Sequence, residues 1–360
     1  MLIIDAHLDI SMNALQWNRD LLQAVYTIRA QENRTQGKGR ALGTVAYPEM
    51  RRGRIALSIV TLIARSTGHV VPNIDYASTA QAYGMAHGQL AYYKALALQG
   101  HIRMIGDLAA LQSHMAEWQA WDAAHAEETE QTPPPLGFVL SMEGADPILT
   151  PDQLGYWVEQ GLRLLGPTHY GPGRYAGGTG VESGLTELGP PLLREMSRLG
   201  VLLDMTHFSD RSFWEALEHY EGPVLASHNN CRALVPHQRQ FSDDQLRAIF
   251  QRNGVIGAAF DTWMLQPGWI VGQTTNENVT LDTVVDHIDY ICQLAGNSRH
   301  AAIGTDLDGG YGREQSPCDL DTIADLQKLT GLLAKRGYSD ADITAILHGN
   351  WVRFLSDAWQ

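Results

Sequence analysis

Short runs of apolar residues alternate along the chain with longer stretches in which apolar residues recur at helical spacing. Eight runs are bounded mostly by Gly or Pro and are rich in Val, Ile and Leu, which is typical of parallel strands buried on both faces. The runs are residues 2–7, 54–62, 136–144, 161–169, 200–207, 222–228, 254–260 and 300–309. They predict eight strands.

The stretches between these runs predict helices that begin at Ser caps or end at Gly. The predicted helices are residues 79–100, 188–200, 209–220, 242–254, 281–296 and 339–359. An acidic, proline-terminated segment at 124–135 and a Gly-rich segment at 171–184 are expected to be irregular. Eight strands alternating with helices predict an α/β fold, a (β/α)8 TIM barrel that forms one domain over residues 1–360.

Charge and cysteine content narrow the class of protein. The chain has 40 acidic against 26 basic residues and a net charge of −14, which argues against nucleic acid or an anionic membrane as partner. Its three cysteines are widely spaced and predict neither a disulfide framework nor a Cys-only zinc site. No signal-peptide pattern and no apolar stretch of ~20 residues is present. We therefore expect a soluble, cytoplasmic protein without a membrane anchor.

Ionisable residues interrupt the apolar strands at their carboxyl ends. Asp5, His7 and Asp9 share one face of the first strand, because alternate residues of a strand point the same way. Such a face is either an exposed edge or lies beneath positive charge, since buried ionisable groups need partners. Counting all strands, the polar residues at or just past these ends are His7, Asp9, Glu143, His169, His207, His228 and Asp306.

In a (β/α)8 barrel these strand ends converge on one mouth, where the active site lies. Imidazoles and carboxylates are ligands that suit Zn²⁺ or a similar divalent ion. The set exceeds the ~4 ligands of one zinc ion and fits two ions that share a carboxylate. Glu143 stands alone at its strand end and is the natural bridge. A single histidine at a strand end usually has a structural role. The prediction of a metal site therefore rests on the occurrence of seven such polar residues at the ends of six strands.

Several ordered segments extend the pattern beyond single residues. They are "DAHLD", "SMEGAD", "GLTELGPPLLREMSRLGVLLDMTHFSD", "PVLASHNNCRAL", "VVDHIDYICQLAG" followed by "AAIGTDLDG", and "ILHGNWVRFL". Along nearly the whole chain they resemble the membrane (renal) dipeptidases, the M19 metallopeptidases of the amidohydrolase superfamily. The resemblance implies that His7 and Asp9 bind one metal ion and that His207 and His228 bind a second. It also implies that Glu143 bridges the two ions.

The same resemblance implies roles for three further residues. His169 matches a histidine that contacts the scissile carbonyl oxygen, and Asp306 matches an aspartate that shuttles the proton. Arg239 matches an arginine that holds the substrate's C-terminal carboxylate. Two positions depart from the family pattern, Tyr170 beside His169 and Gln240 beside Arg239. We expect both departures to border the substrate and to affect its identity more than the metal centre.

The expected activity is that of a binuclear-metal dipeptidase. A metal-bound hydroxide would hydrolyse the amide bond of dipeptides, including those with a C-terminal D-residue. Two divalent ions are implied as cofactors, with Zn²⁺ ahead of Mn²⁺ or Co²⁺. Analogy with the family suggests a homodimer. Two alternatives stay open: a related amidohydrolase acting on another small amide or cyclic amide, and a non-peptidase tailoring protein on the same fold.

Overall fold

Each of the eight apolar runs forms a strand in the computed structural model, which describes residues 1–68, 71, 73–125 and 133–360. Within these residues a ninth, short strand is added. The strands are β1 (Ile3–Leu8), β2 (Ile55–Ile63), β3 (Ile102–Met104), β4 (Leu136–Glu143), β5 (Leu162–Gly166), β6 (Leu202–Asp204), β7 (Val224–Leu225), β8 (Ile256–Ala258) and β9 (Ala301–Ile303). Every residue of β1, β2 and β4 is buried, as expected for parallel strands covered on both faces.

The strands form a curled parallel sheet in the order β1-β2-β4-β5-β6-β7, with β3 paired to the start of β4. β8 and β9 pair in parallel as a second, two-stranded sheet. A bridge between Ala226 and Ile256 joins β7 to β8. On the other side, the Asp306 amide donates to the His7 carbonyl at 3.2 Å, which brings the chain after β9 against β1. Full closure into a (β/α)8 barrel stays a prediction.

Helices follow most of the strands. They are α1 (Ile10–Leu15), α2 (Val25–Gln31), α3 (Tyr47–Arg52), α4 (Thr79–Leu98), α5 (Leu108–Ala124), α6 (Leu154–Glu159), α7 (Gly189–Leu199), α8 (Asp210–His219), α9 (Asp243–Gln251), α10 (Leu281–Ala295), α11 (Lys328–Lys335), α12 (Asp340–Thr344) and α13 (Asn350–Ala358). Two predicted caps are present: Ser209 accepts from the Ser212 amide at 3.0 Å, and Ser242 forms a capping box with Gln245. These caps fix where α8 and α9 begin.

The structure differs from the sequence prediction at several elements. The strand β3 and the helices α1, α2, α3, α5, α6 and α11 were not predicted. The helix predicted at 339–359 is divided, because a π-helical turn at Ala345–Gly349 separates α12 from α13. His348, within that turn, bonds the carbonyl of Leu2, which directly precedes β1, at 3.0 Å, and Asn350, directly after the turn, donates to the Ala301 carbonyl in β9 at 2.8 Å. These hydrogen bonds attach the π-helical turn and the start of α13 to the chain at β1 and β9.

Two predicted irregular segments have different outcomes. Residues 171–184 contain neither helix nor strand and are held by isolated bridges, including one between Tyr170 and Thr179. This segment is irregular, as predicted. Residues 126–132 of the acidic segment lie outside the described residues.

Candidate metal centre

The seven polar residues of the strand ends occupy equivalent places in the fold. His7 lies in β1 and Glu143 is the last residue of β4. The remaining members of the set just follow their strands: Asp9 after β1, His169 after β5, His207 after β6, His228 after β7 and Asp306 after β9. All seven therefore lie at or just past the carboxyl ends of parallel strands, six of them on the larger sheet and Asp306 on the two-stranded sheet.

Glu143 stands at the centre of this group. Its Oε2 lies 3.5 Å from His7 Nε2. Its Oε1 lies 3.2 Å from His207 Nε2, 3.5 Å from His228 Nε2 and 3.8 Å from His169 Nε2. The two oxygens of one carboxylate thus face different imidazoles, which is the arrangement that a bridging carboxylate requires.

Asp9 and Asp306 complete the His7 side of the group. His7 Nε2 lies 4.0 Å from Asp9 Oδ1 and 3.9 Å from Asp306 Oδ1. Three sets of side chains bring ligand atoms within 4.8 Å of one another. They are His7, Glu143 and His228; Glu143, His169 and His207; and His7, Asp9 and Asp306. All seven strand-end residues belong to at least one of these overlapping sets, so the structure brings them together in one cluster.

The arrangement fits bound cations better than it fits hydrogen bonding alone. His7 Nε2 and Glu143 Oε1 are buried and make no hydrogen bond of adequate geometry within the described chain. His207 Nε2 and His228 Nε2 lie 3.1 Å apart, and if each ring donates from Nδ1 to its neighbouring hydroxyl, two lone pairs face each other there. Buried polar atoms without partners are costly, and divalent ions would satisfy all of these atoms.

The charges of the group lead to the same conclusion. Burial raises the pKa of Asp306 well above its usual range, and burial with repulsion from Glu143 raises that of Asp9 to about 6. Burial alone would lower the pKa of His7, but the neighbouring carboxylates outweigh it and raise the pKa to about 10. The cluster thus holds an excess of negative charge that attracts positive charge to its centre.

A second layer of side chains holds the imidazoles in place. Ser227 Oγ lies 3.1 Å from His7 Nδ1 and 2.9 Å from His228 Nδ1. Thr179 Oγ1 lies 3.0 Å from His207 Nδ1. In each of the three rings Nδ1 lies within hydrogen-bond distance of a hydroxyl oxygen, and Nε2 faces Glu143. Hydrogen bonds of this kind at the second ring nitrogen orient metal-ligating histidines in proteins. The Thr61 hydroxyl likewise donates to Asp9.

Sequence reasoning missed these supporting residues. Ser227 directly precedes His228, but nothing in the spacing indicates that its hydroxyl also reaches His7, 220 positions earlier. Asp5 was grouped with His7 and Asp9 on one strand face, yet its carboxylate accepts from the Thr305 amide and hydroxyl at 2.8 and 2.6 Å. Asp5 therefore joins β1 to the chain after β9.

The backbone is strained at two members of the site. His207 and Asp306 have φ values of 69° and 60°, in the left-handed region that residues other than glycine rarely adopt. Each such residue costs about 1–3 kcal/mol and persists only where the surrounding structure demands it. Such backbone positions concentrate at functional sites, and both side chains belong to the cluster.

A cavity of about 520 Å³ opens above the cluster. This volume suits a small molecule. Asp9, Glu143, His169, His207 and Asp306 line its floor, whereas His7 and His228 are almost completely buried beneath. Its walls carry three cations together with apolar side chains. The cations are Lys38, Arg65 and Arg239.

Arg239 and the two departures from the family pattern have distinct positions. Arg239 lines the cavity, and its Nη2 donates to the His228 carbonyl at 2.9 Å and lies 3.4 Å from His207 Nε2. Tyr170 also lines the cavity. Gln240 does not: it is buried, and its amide donates to the Met264 carbonyl at 2.6 Å. Of the two departures, only Tyr170 borders the cavity.

Comparisons with known proteins agree with this geometry. A sequence profile of the family described as membrane dipeptidase, peptidase family M19, matches residues 1–360. A protein from the pqqA 5′ region of Klebsiella pneumoniae is 32% identical over 208 residues, which cover 56% of this chain and 73% of that protein. The dipeptidase aclJ of Aspergillus oryzae is 26% identical over 326 residues, 88% of this chain and 70% of its own. An uncharacterized dipeptidase of Schizosaccharomyces pombe is 29% identical over 61% of this chain, but that match spans only 52% of the yeast protein.

Solved structures share the fold. A metallopeptidase from Rhodobacter sphaeroides superposes with a TM-score of 0.78 at 23% identity, over 100% of this chain and 99% of that one. The probable dipeptidase PvdM from Pseudomonas aeruginosa gives a TM-score of 0.77 at 17% identity, over 100% and 96% of the two chains. None of the helices in the described ranges is long and apolar enough to cross a membrane. By the match over its whole length, the chain belongs to the membrane dipeptidase family, peptidase family M19, and is a metal-binding hydrolase of the dipeptidase type.

Proposed function

We propose that this protein is a binuclear metallodipeptidase that hydrolyses the amide bond of small dipeptides. The observation that carries the proposal is the position of Glu143, whose two carboxylate oxygens face different imidazoles at 3.5 and 3.2 Å. A single ion would not need a carboxylate turned to both sides, whereas paired ions in hydrolases commonly share one.

Five residues would hold the two ions. His7 and Asp9 would bind the first, His207 and His228 the second, and Glu143 both. Zn²⁺ is the proposed metal, because imidazole and carboxylate ligands suit it, although Mn²⁺ or Co²⁺ also accept such ligands. When bound, two divalent ions supply an acidified water as nucleophile and polarise the scissile carbonyl.

His169 and Asp306 would act on the reacting atoms. Both line the cavity beside Glu143. His169 would donate a hydrogen bond to the carbonyl oxygen as negative charge develops there. Asp306 would accept a proton from the attacking water and pass it to the leaving nitrogen. Both roles require only that the scissile bond lies over Glu143, on the cavity floor.

Arg239 would bind the substrate's C-terminal carboxylate. Arg239 lines the cavity. Its Nη1 and Nη2 donate to Asn229 and to the His228 carbonyl, while its buried Nε has no hydrogen-bond partner in the described chain. The planar fork of arginine matches a carboxylate. We expect Arg239→Ala to lose activity on dipeptides with a free carboxylate and to keep activity on amidated ones. Comparable losses on both substrate types would contradict this role.

Dipeptides with a C-terminal D-residue belong to the proposed substrate range. The Rhodobacter sphaeroides structure contains a phosphinate mimic of the dipeptide L-Ala-D-Ala. That protein shares the fold at 23% identity, so its ligand motivates the proposal for this chain without establishing it.

The decisive experiment is a dipeptide library in all four stereochemical combinations, assayed on zinc-loaded protein with metal content measured in parallel. We expect two ions per chain and hydrolysis of at least one class of dipeptide. Glu143→Gln, which preserves shape and removes charge, should lose both metal and activity. Retention of two ions with hydrolysis of cyclic amides alone would favour the related-amidohydrolase alternative, and a protein that binds only trace metal would refute the proposal.

We also propose that β8 and β9 complete a (β/α)8 barrel and that residues 1–360 form one domain. The bridge between β7 and β8 and the hydrogen bond from Asp306 to His7 support closure. The expected homodimer and cytoplasmic location stay predictions.

A further inference from the structure

The imidazole of His169 contacts a cation on the side that faces away from Glu143. Arg65 follows β2, is 8% exposed, and places Nη1 2.9 Å from His169 Nδ1. A guanidinium has five N–H donors and no acceptor. His169 Nδ1 must therefore accept this hydrogen bond, and the ring proton of the neutral imidazole must lie on Nε2.

The proton fixed in this way points toward the reaction centre. His169 Nε2 lies 3.8 Å from Glu143 Oε1, on the cavity floor. The ring is held between Tyr170 and His207, with centroid distances of 4.9 and 4.3 Å. His169 is therefore oriented to donate from Nε2 into the space above Glu143.

Arg65 is itself held in place by its surroundings. Its guanidinium lies 3.6 Å from the carboxylate of Asp75, which accepts from the Thr67 amide at 2.9 Å. Its backbone amide donates to the Ile74 carbonyl at 2.9 Å, and its carbonyl accepts from the Tyr76 amide at 2.8 Å. Backbone and side-chain contacts thus join residues 65–67 to residues 74–76, which limits the freedom of the guanidinium.

We propose that Arg65 is a positioning residue that locks His169 in the Nε2–H tautomer, oriented to donate to the carbonyl oxygen of the substrate. This inference rests on the proposed contact between His169 and that oxygen. Neither the strand-end pattern nor the family resemblance assigned a role to Arg65. Its guanidinium would act through His169 and would leave the binding of the substrate carboxylate to Arg239.

A direct role in substrate binding is the alternative, because Arg65 also lines the cavity. The two roles have different kinetic signatures. Loss of a group that orients a transition-state donor lowers kcat with little change in KM, whereas loss of a group that binds substrate and transition state equally raises KM.

The test compares Arg65→Met with wild type, both loaded with zinc and checked for equal metal content and Tm. Arg103→Met serves as the matched control, since Arg103 lies in β3, pairs with Glu117 and lines no part of the cavity. Nitrogen-15 NMR of labelled histidines, assigned with His169→Gln, reports which ring nitrogen carries the proton. Should Arg65→Met fail to fold, Asp75→Asn loosens the same guanidinium without removing it.

We expect wild type to show a protonated Nε2 at His169, and the Arg65 variant to lose that unique tautomer. Its kcat should fall by at least ~10-fold at nearly constant KM, as for loss of a preorganised donor. An Nδ1–H tautomer in wild type, an unaltered tautomer in the variant, or a raised KM at constant kcat would each overturn the proposal. If wild type hydrolyses no dipeptide, the proposed function fails, while the NMR result still decides the effect of Arg65.

Discussion

At the scale of single residues, one hydroxyl links two imidazoles that belong to different proposed metal sites. Ser227 Oγ contacts Nδ1 of both His7 and His228. To bind metal through Nε2, a neutral histidine carries its proton on Nδ1. A serine oxygen has two lone pairs and can accept from both rings. Ser227 would thus couple the orientation of one ligand on each ion.

We therefore expect Ser227→Ala to weaken metal binding by ~10–100-fold, the usual effect of removing a group behind a metal ligand. Chelator competition with zinc measures the affinity directly. Ser58→Ala is the matched control, because the Ser58 hydroxyl, in β2, is also buried but makes no hydrogen bond within the described chain. Equal affinities in the two variants would exclude this role for Ser227.

At the scale of elements, the strands β7, β8 and β9 meet at two glycines. A Cβ added at Gly257 in β8 would lie 2.1 Å from the Ser227 carbonyl oxygen. One added at Gly304, directly after β9, would lie 1.7 Å from the same oxygen. Only glycine permits this approach, and it brings the backbone of Ser227 between the two strands. The close packing of these elements thus positions the residue that supports His7 and His228.

Gly304→Ala should therefore lower the free energy of unfolding by at least ~1–3 kcal/mol, the usual cost of overpacking a tight core. Gly331→Ala makes the same chemical change within α11, where nothing lies within 4 Å of the new methyl group. That variant should be stabilised by roughly 0.5–1 kcal/mol, because alanine favours helix. Urea unfolding measures the free energy of unfolding of both variants. Similar free energies for the two would show that the backbone around Gly304 shifts at little cost to admit a methyl group, and would contradict the prediction.

At the scale of the whole molecule, the site concentrates like charge inside the fold. Asp9, Glu143 and Asp306 are carboxylates grouped around His7 within 3.5–4.0 Å of its Nε2. Native proteins retain such unfavourable groupings where function requires them, and ligands that bind only the folded state restore the lost stability. The metal ions should therefore act as structural as well as chemical groups.

Removal of the ions by chelation should lower Tm, and readdition of zinc should restore it in a concentration-dependent way. Asp306→Asn should reduce the difference in Tm between the metal-free and the metal-loaded protein, because it removes one buried carboxylate from the metal-free cluster. Thermal unfolding at pH 7 with and without chelator measures both effects. A Tm that does not respond to chelator in the wild type would be inconsistent with the proposed metal centre.

Local sequence determined most of the strands and the set of proposed metal ligands. Runs rich in Val, Ile and Leu that are bounded by Gly or Pro are typical of buried parallel strands, and all eight predicted strands are present. Polar residues at the ends of those runs could be named in advance, because parallel strands bring their carboxyl ends to one edge. The caps at Ser209 and Ser242 were also predictable from the sequence, since capping depends on residues only three positions apart.

Tertiary structure alone decided which side chains support the ligands. The contacts of Ser227 with His7, of Arg65 with His169 and of Asp5 with Thr305 span 220, 104 and 300 positions. No periodicity encodes such separations, because they depend on how the completed sheet curls and on which backbones approach closely. The π-helical turn that divides the last predicted helix also depends on tertiary contacts. His348 and Asn350 bond backbone carbonyls at Leu2 and Ala301, which are distant in the sequence. The local sequence thus determined which ionisable side chains stand at the strand ends, and the tertiary structure determined their distances and the residues that hold them in place.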